Sequence, residues 1–158
     1  MDNRRRPNKH KLKNTMKILE YPNEILDKKT KKVKKSLDAE IKKIIKDMKE
    51  TMEKADGAGL AAPQVGESLR ICTIQYGGEI FAMINPKITS YSREKEIGEE
   101  GCLSFPKQFF PIKRSVKIKV RYVDEEGKEI KKKAENLLAR IMQHEIDHLD
   151  GIVFIKRK

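Results

Sequence analysis

The amino-acid sequence predicts an α+β fold of mixed, largely antiparallel β-sheets packed around a C-terminal helix. The first observation is that short strand-like segments follow one another, with turns between them and no intervening helical pattern. The second is that helical periodicity is confined to an amphipathic stretch near the N-terminus and a stretch at the C-terminus. Strands and helices that do not alternate exclude a parallel α/β arrangement. A length of 158 residues fits one domain with its own core.

The composition is strongly basic, with 36 lysines and arginines, 24 acidic residues and a net charge of +12. Such a charge draws a chain to polyanions, of which ribosomal RNA is one candidate. The alternative is that lysine-rich faces keep a small enzyme in solution. We expect no specific contact with DNA.

The two cysteines imply no disulfide framework, and this usage favours a reducing cytoplasm. No apolar run approaches the ~18 residues of a membrane span, so we expect no membrane partner. The basic N-terminus lacks a following apolar stretch and is not a secretory signal, although an organelle location stays open.

Residues 1–15 are basic, almost without apolar side chains, and are predicted to form a disordered N-terminal extension. Three interpretations stay open: a basic arm, a misplaced start with Met16 as the initiator, and a remnant of an organelle-targeting segment. The folded domain is predicted to span residues 16–158.

The first helix is predicted to begin at Leu37, with Ser36 as its N-cap, and to end near residues 56–57. Apolar residues recur at helical spacing along it, which predicts a face packed in the core. They are Leu37, Ile41, Ile44, Ile45, Met48 and Met52.

The strands are predicted from apolar runs, from alternation and from turn residues. Gly77 and Gly78 form a two-residue hairpin turn between two apolar runs. Apolar and basic residues then alternate over 116–123, which predicts a strand with one buried face. A loop is predicted around residues 99–106. The predicted strands are residues 70–76, 79–85, 116–123 and 130–133.

The last helix, predicted from residue 135 to Leu149 and stopped by Gly151, carries the chemistry. Its residues 144–148 read His-Glu-Ile-Asp-His and match the H-E-x-x-H motif. His144 and His148 lie one turn apart on one face, so two imidazoles can meet one metal ion. Glu145 lies about 100° around the axis, close enough to reach a water on that metal.

Both histidines and Glu145 occupy an arc of this helix that is otherwise apolar. A carboxylate buried there is costly unless it is used or paired, and the alternative is a structural His–Glu pair. The remaining face is predicted to be polar and is formed by Asn136, Arg140, Gln143 and Asp147.

A catalytic metal of this type takes three protein ligands and keeps an open position. The residues after His148 hold no further Glu, His or Cys, and Phe154 stands where a metzincin would have a third histidine. Upstream, His10 lies in the basic extension and Cys72 in an apolar run typical of a core strand. Cys102 lies between turn-forming residues and is the predicted third ligand, with a buried structural thiol as the alternative.

These residues belong to a pattern that resembles the peptide deformylase family. Three separated motifs match it: Gly-Ala-Gly-Leu-Ala-Ala-Pro-Gln at 57–64, Glu-Gly-Cys-Leu-Ser at 100–104, and Gln-His-Glu-Ile-Asp-His at 143–148. Their order and separation also fit, and the resemblance covers residues 16–155. Asn136 is a departure, since the family often has glycine there.

The resemblance implies removal of the N-terminal formyl group from formyl-methionine of nascent polypeptides. Cys102, His144 and His148 would hold one divalent ion, with Fe²⁺ expected and Zn²⁺, Ni²⁺ or Co²⁺ able to substitute. Hydroxide on the metal would attack the formyl carbon, with Glu145 as general acid and base. The Gln64 side chain and the Leu103 backbone N–H would stabilise the oxyanion.

The resemblance also implies a peptide site and a cellular context. Gly59 would allow close approach of the peptide backbone, and Gly101 would contribute backbone contacts to an extended substrate. Leu137 and Ile141, on the face of His144, line a methionine pocket or pack in the core. Partners would be N-formyl-methionyl nascent peptides and, transiently, the ribosome near its peptide exit.

Gly57 is interpreted as a helix C-cap. Arg114 is interpreted as a solvated charge at a strand edge, with membership of a network behind the metal ligands as the alternative. Two alternative functions stay open. The first is an H-E-x-x-H metallopeptidase that cleaves internal amides, and the second is a non-catalytic ribosome-associated binding module with a structural metal. An intact Glu145 and Gln64 favour an enzyme, because a structural site needs neither.

Overall fold

The computed structural model describes residues 15–34 and 37–158, and the predictions for residues 1–14 and for Ser36 lie outside this part. Over the described residues the chain forms two α-helices and seven β-strands, which confirms the α+β fold. The helices are α1 (Ala39–Lys54) and α2 (Asn136–Leu149). The strands are β1 (Gly59–Ala61), β2 (Ile71–Tyr76), β3 (Glu79–Tyr91), β4 (Lys95–Cys102), β5 (Phe105–Ser115), β6 (Lys117–Val123) and β7 (Glu129–Glu135).

The strands form two sheets. Five of them make a sheet of order β1-β2-β3-β6-β7, and β4 pairs with β5 in a separate two-stranded sheet. Every neighbouring pair is antiparallel. Gly77 and Gly78 connect β2 to β3 with φ values of 61° and 79°, the left-handed conformation of a two-residue hairpin turn. The hairpin prediction is therefore confirmed.

Helix α1 begins two residues later than predicted. The Asp38 carboxylate accepts a hydrogen bond from the Ile41 N–H at 3.0 Å, which makes Asp38 the N-cap and Ala39 the first helical residue. The predicted apolar face is confirmed, because Ile45, Met48 and Met52 are buried against one face of the five-stranded sheet.

Helix α2 packs on the opposite face of that sheet, against side chains that alternate along β6, such as Ile118 and Val120. Its predicted polar face is not solvated: Gln143 and Asp147 are buried. Leu137, placed by its pattern on an apolar stripe, is 58% exposed instead. The helix is buried on both sides because a second sheet covers its polar face. No helix in the described ranges is long and apolar enough to cross a membrane.

The predicted loop at residues 99–106 is wrong, because β4 and β5 form a long hairpin that turns at Leu103 and Ser104. This hairpin lacks apolar alternation since most of β4 faces solvent. It is anchored elsewhere: Phe105 and Ile112 of β5 pack with Phe154 near the C-terminus. The hairpin therefore lies beside α2 as a second, smaller layer.

Asn136 begins α2 with φ at +53°, in the left-handed region. Asparagine and glycine tolerate this conformation better than other residues, whose Cβ meets the following carbonyl. Asn136 therefore allows the same left-handed backbone conformation as the glycine that the family often has at this position.

We expect Asn136→Ala to lower the free energy of unfolding by about 1 kcal/mol, because alanine in the left-handed region is strained. Asn136→Gly should leave stability unchanged or raise it. Urea unfolding of both variants with the same metal content measures the difference, and equal stability of the two would contradict the strain argument.

Candidate active site

The two layers bring the three predicted ligands together. Cys102 ends β4, and His144 and His148 lie one turn apart on α2. Their ligand atoms all lie within 4.8 Å of one another, and Cys102 Sγ is 3.3 Å from His148 Nε2. One thiolate and two imidazoles that converge in this way are the donor set of a divalent transition-metal site.

A register shift in the hairpin aims the thiol at the helix. Gly101 pairs with Phe109, but Cys102 pairs with Phe105, so the ladder is irregular between the two residues. Such irregularities redirect side chains at the end of a strand. Gly101 also leaves room for Phe109, since a Cβ built on it would lie 2.7 Å from the Phe109 ring.

Glu100 fixes the orientation of His144. Its Oε1 lies 2.8 Å from His144 Nδ1, and both side chains are buried. Burial opposes ionisation, but hydrogen bonds from His144 and Arg114 lower the pKa of Glu100 to about 2. Because Glu100 binds Nδ1 of His144, the other ring nitrogen, Nε2, is free to bind a metal ion. Histidine ligands in metal sites are commonly oriented by a carboxylate in this way. The residues present therefore fit a metal site.

Arg114 is part of this support, and the prediction of a solvated strand-edge charge is wrong. Its side chain is 5% exposed and donates two hydrogen bonds of 2.9 Å to Glu100. It also binds Asp147 of α2, which Arg157 binds from the other side. Arg140 completes the set with a bond of 2.7 Å to Glu100. The Glu100–Arg114–Asp147 network thus joins both hairpin strands to the helix.

The sequence pattern gave Arg114 this role only as the alternative, and it gave Glu100, Arg140, Asp147 and Arg157 none, although Glu100 lies in a quoted motif. Two signals in the sequence could have indicated this role. Glu100 lies two residues before the predicted ligand Cys102, and Arg140 and Asp147 are charged residues on the helix that carries the two histidines. Phe154, which stands where a metzincin has its ligand, packs against the His144 ring with centroids 5.5 Å apart.

Glu145 lies beside the predicted ligands. It is 4% exposed, and its Oε2 has no hydrogen-bond partner among the described residues. Burial raises the pKa of Glu145 to about 7, with His144 opposing and Glu100 adding to the shift. The absence of a side chain at Gly59 leaves room for the Glu145 carboxylate, because a Cβ there would lie 2.5 Å from Glu145 Oε1.

The Gln64 amide is held with its donor toward the site. Its Oε1 accepts the Ala61 N–H at 2.9 Å. Its Nε2 lies 3.1 Å from Ser104 Oγ and 3.6 Å from Cys102 Sγ. The backbone bond fixes which end of the amide faces the thiol, so Gln64 offers an N–H and not an acceptor.

These groups lie at a pocket of about 460 Å³. Every predicted site residue except His148 lines it: Gly59, Gln64, Gly101, Cys102, Leu103, Leu137, Ile141, His144 and Glu145. His148 is buried behind them at 1% exposure.

Gly57 lines the pocket too. Its prediction as a C-cap is wrong, because Ala55 is the C-cap of α1 and Asp56 carries the positive φ. A Cβ on Gly57 would instead lie 2.8 Å from the Leu103 side chain.

Comparison with known proteins agrees with this geometry. A model of the polypeptide deformylase family matches residues 15–158. The chain belongs to this family. A peptide deformylase from Dictyoglomus thermophilum is 47% identical over 133 residues, which cover 84% of this chain and 86% of that protein. Family membership confirms the predicted resemblance and the prediction of a metal-dependent enzyme.

Two solved deformylases show the same fold. A crystal structure from Thermotoga maritima matches with a TM-score of 0.88 and 43% identity, covering 90% of this chain and 97% of that one. A Met-Ala-Ser-bound class I type b enzyme from Acinetobacter baumannii matches with a TM-score of 0.88 and 30% identity. It covers 93% of this chain and 100% of that chain.

We expect Glu100→Gln to weaken metal binding by this deformylase about 10- to 100-fold, because His144 loses the carboxylate that orients it. Competition with a chelating dye measures the affinity for Zn²⁺. Glu96→Gln, on the same strand with an exposed side chain, is the matched control and should bind as tightly as the unmodified protein. Equal weakening in both variants would contradict the role given to Glu100.

Proposed function

We propose that this deformylase hydrolyses N-formyl-methionyl peptides to formate and methionyl peptides as they emerge during translation. The observation that carries the proposal is the buried, unpartnered Oε2 of Glu145 beside three metal ligands in an open pocket. A purely structural metal site needs no such carboxylate. The Met-Ala-Ser peptide bound to the Acinetobacter baumannii enzyme supports a methionyl peptide as the product.

Cys102, His144 and His148 would hold one divalent ion, and we expect Fe²⁺, with Zn²⁺, Ni²⁺ or Co²⁺ able to replace it. Such an ion acts as a Lewis acid and lowers the pKa of a water molecule that it binds. His144 is presented by Glu100, while the Cys102 thiolate supplies the soft donor.

Glu145 moves the proton. Its unpartnered Oε2 accepts a proton from the attacking water and then delivers it to the peptide nitrogen that leaves. A pKa near 7 suits both steps, since the carboxylate can take and release a proton close to neutral pH.

Gln64 and Leu103 stabilise the charge that develops on the formyl oxygen. Gln64 Nε2 is already aimed at the site because its own oxygen is bound by Ala61. Leu103 lines the pocket at the turn between β4 and β5, and its backbone N–H would be the second donor. Donors placed in advance cost no reorganisation during the reaction, and each is typically worth a few kcal/mol of barrier.

The pocket lining fits a methionyl peptide. Ile141 is 8% exposed and would line the inner part of the methionine pocket, whereas Leu137, at 58% exposure, would lie at its mouth. Gly101 on β4 offers backbone groups to an extended peptide, and Gly59 adds no side chain that would block it. Leu137 is thus better explained by a peptide than by core packing.

The cellular setting is also a proposal. The catalytic domain would span residues 16–158, with the basic residues 1–15 as an extension. A nascent-chain substrate places the enzyme transiently at the ribosome near the peptide exit, in the cytoplasm. The half-buried Cys102 thiol favours such a reducing compartment.

The test is formate release from formyl-Met-Ala-Ser by anaerobically purified protein loaded with Fe²⁺. We expect turnover by the unmodified chain and a loss of at least 100-fold in Glu145→Gln, because no other buried group in the described site can move the proton. Metal content should stay unchanged in this variant. Glu126→Gln, in an exposed turn, is the matched control and should keep full activity.

Failure to release formate in a folded, metal-loaded protein would contradict the proposed reaction. Cleavage of internal amides in place of formate release would indicate a metallopeptidase. Retained activity in Glu145→Gln would leave the family assignment intact and remove the role of this carboxylate.

A further inference from the structure

A cluster of cations lies on the five-stranded sheet, away from the active site. Lys119 of β6 pairs directly with Lys133 of β7, and Arg121 pairs with Lys131. On its other side Arg121 pairs with Lys87 of β3. Directly paired residues share a face of the sheet, so the five cations form one surface, called the basic face below.

The basic face is opposite to α2. Ile118 and Val120, which alternate with its members Lys119 and Arg121 along β6, are buried in the cluster that packs on α2. Helix α1 covers the same side of the sheet further along, where Ile84 pairs with Val123 and both pack in the α1 cluster. The helix stops short of the basic face, whose lysines are exposed.

The cations of the basic face are poorly compensated. Like charges directly opposite each other destabilise a sheet, so the pairing of Lys119 with Lys133 has a cost that the fold does not require. Within the described ranges the lysines of this face form no ion pair, and only Arg121 approaches a carboxylate, Glu129 at 3.7 Å. Repulsion of this kind is relieved by a polyanion.

The shape of the face narrows the choice of partner. A groove of about 410 Å³ runs among Lys119, Arg121, Lys131 and Lys133. A groove accepts a ridge, such as a phosphate backbone, better than it accepts a flat bilayer. In the described structure no large apolar side chain is exposed on this face, whereas protein interfaces and membrane contacts rely on apolar anchors.

We propose that the basic face binds the phosphate backbone of an RNA helix. Phosphate contacts from lysine and arginine give strong, sequence-independent affinity, which suits a surface made of these two residue types. The choice of RNA rests on the proposed function, since formylated nascent peptides are made on an RNA-containing machine. The face would hold the enzyme near that machine while leaving the pocket open.

The experiment measures binding of the full chain to a fluorescent RNA hairpin duplex by anisotropy across a salt series. The test variant is the double substitution Lys119→Gln with Lys133→Gln. The control is Lys17→Gln with Lys54→Gln, which removes the same charge. Both control lysines are exposed near the end of α1, where the Met16 N–H binds Thr51.

We expect the test variant to bind RNA on the order of tenfold more weakly at 0.1 M salt. The slope of log K against log salt should become shallower by about 1.5, and the control should stay within about twofold of the unmodified chain. The thermal midpoint of the test variant should not fall, because a repulsive pair is removed.

Equal loss of RNA binding in the two double variants would overturn the proposal, since net charge alone would then explain it. Tighter binding to anionic vesicles of phosphatidylserine and phosphatidylcholine, or to a DNA duplex, than to RNA would also overturn it. Formate release should be unchanged in both variants, so loss of the RNA contact and failure of the proposed reaction are distinguishable.

Discussion

The buried carboxylate of Glu100 is the contact on which the site depends. It binds His144 and Arg140 from α2 and Arg114 from β5, while its own strand ends at Cys102 two residues later. Strand β4 has little buried apolar surface of its own, so these polar bonds hold it against the helix, while β5 is anchored by Phe105 and Ile112. The Cys102 thiol and the two imidazoles therefore meet because one carboxylate is shared between the two layers.

Burying these charged side chains would by itself destabilise the folded state, since buried ions lose their hydration. It is stable here because every buried charge of the network has a hydrogen-bonded partner of opposite sign: Arg114 has both Glu100 and Asp147, and Asp147 is also reached by Arg157. Glu145 is the exception, with an oxygen left without a partner beside the ligands. His148 Nδ1 is likewise buried without a hydrogen-bond partner among the described residues. The Glu100–Arg114–Asp147 network is therefore satisfied, while unpaired polar atoms are left beside the pocket.

Much of this could be predicted from the sequence where the signal is local. The H-E-x-x-H spacing fixes two ligands and the carboxylate on one helix, and the Gly77-Gly78 turn and the alternation in β6 give the main sheet. The β4–β5 hairpin could not be found in this way, because most of β4 is exposed and the apolar anchors of β5, Phe105 and Ile112, do not alternate with polar residues along the strand. Arg114 was interpreted as solvated, and Gln143 only as part of a polar face, because their partners are distant in sequence.

The most direct test of the account is X-ray absorption spectroscopy of the metal-loaded protein at the metal edge. We expect one sulfur and two imidazole nitrogens bound to the metal, with the sulfur lost in Cys102→Ser and retained in Cys72→Ser. A coordination sphere of nitrogen and oxygen alone in the unmodified protein, or sulfur that persists in Cys102→Ser, would contradict it.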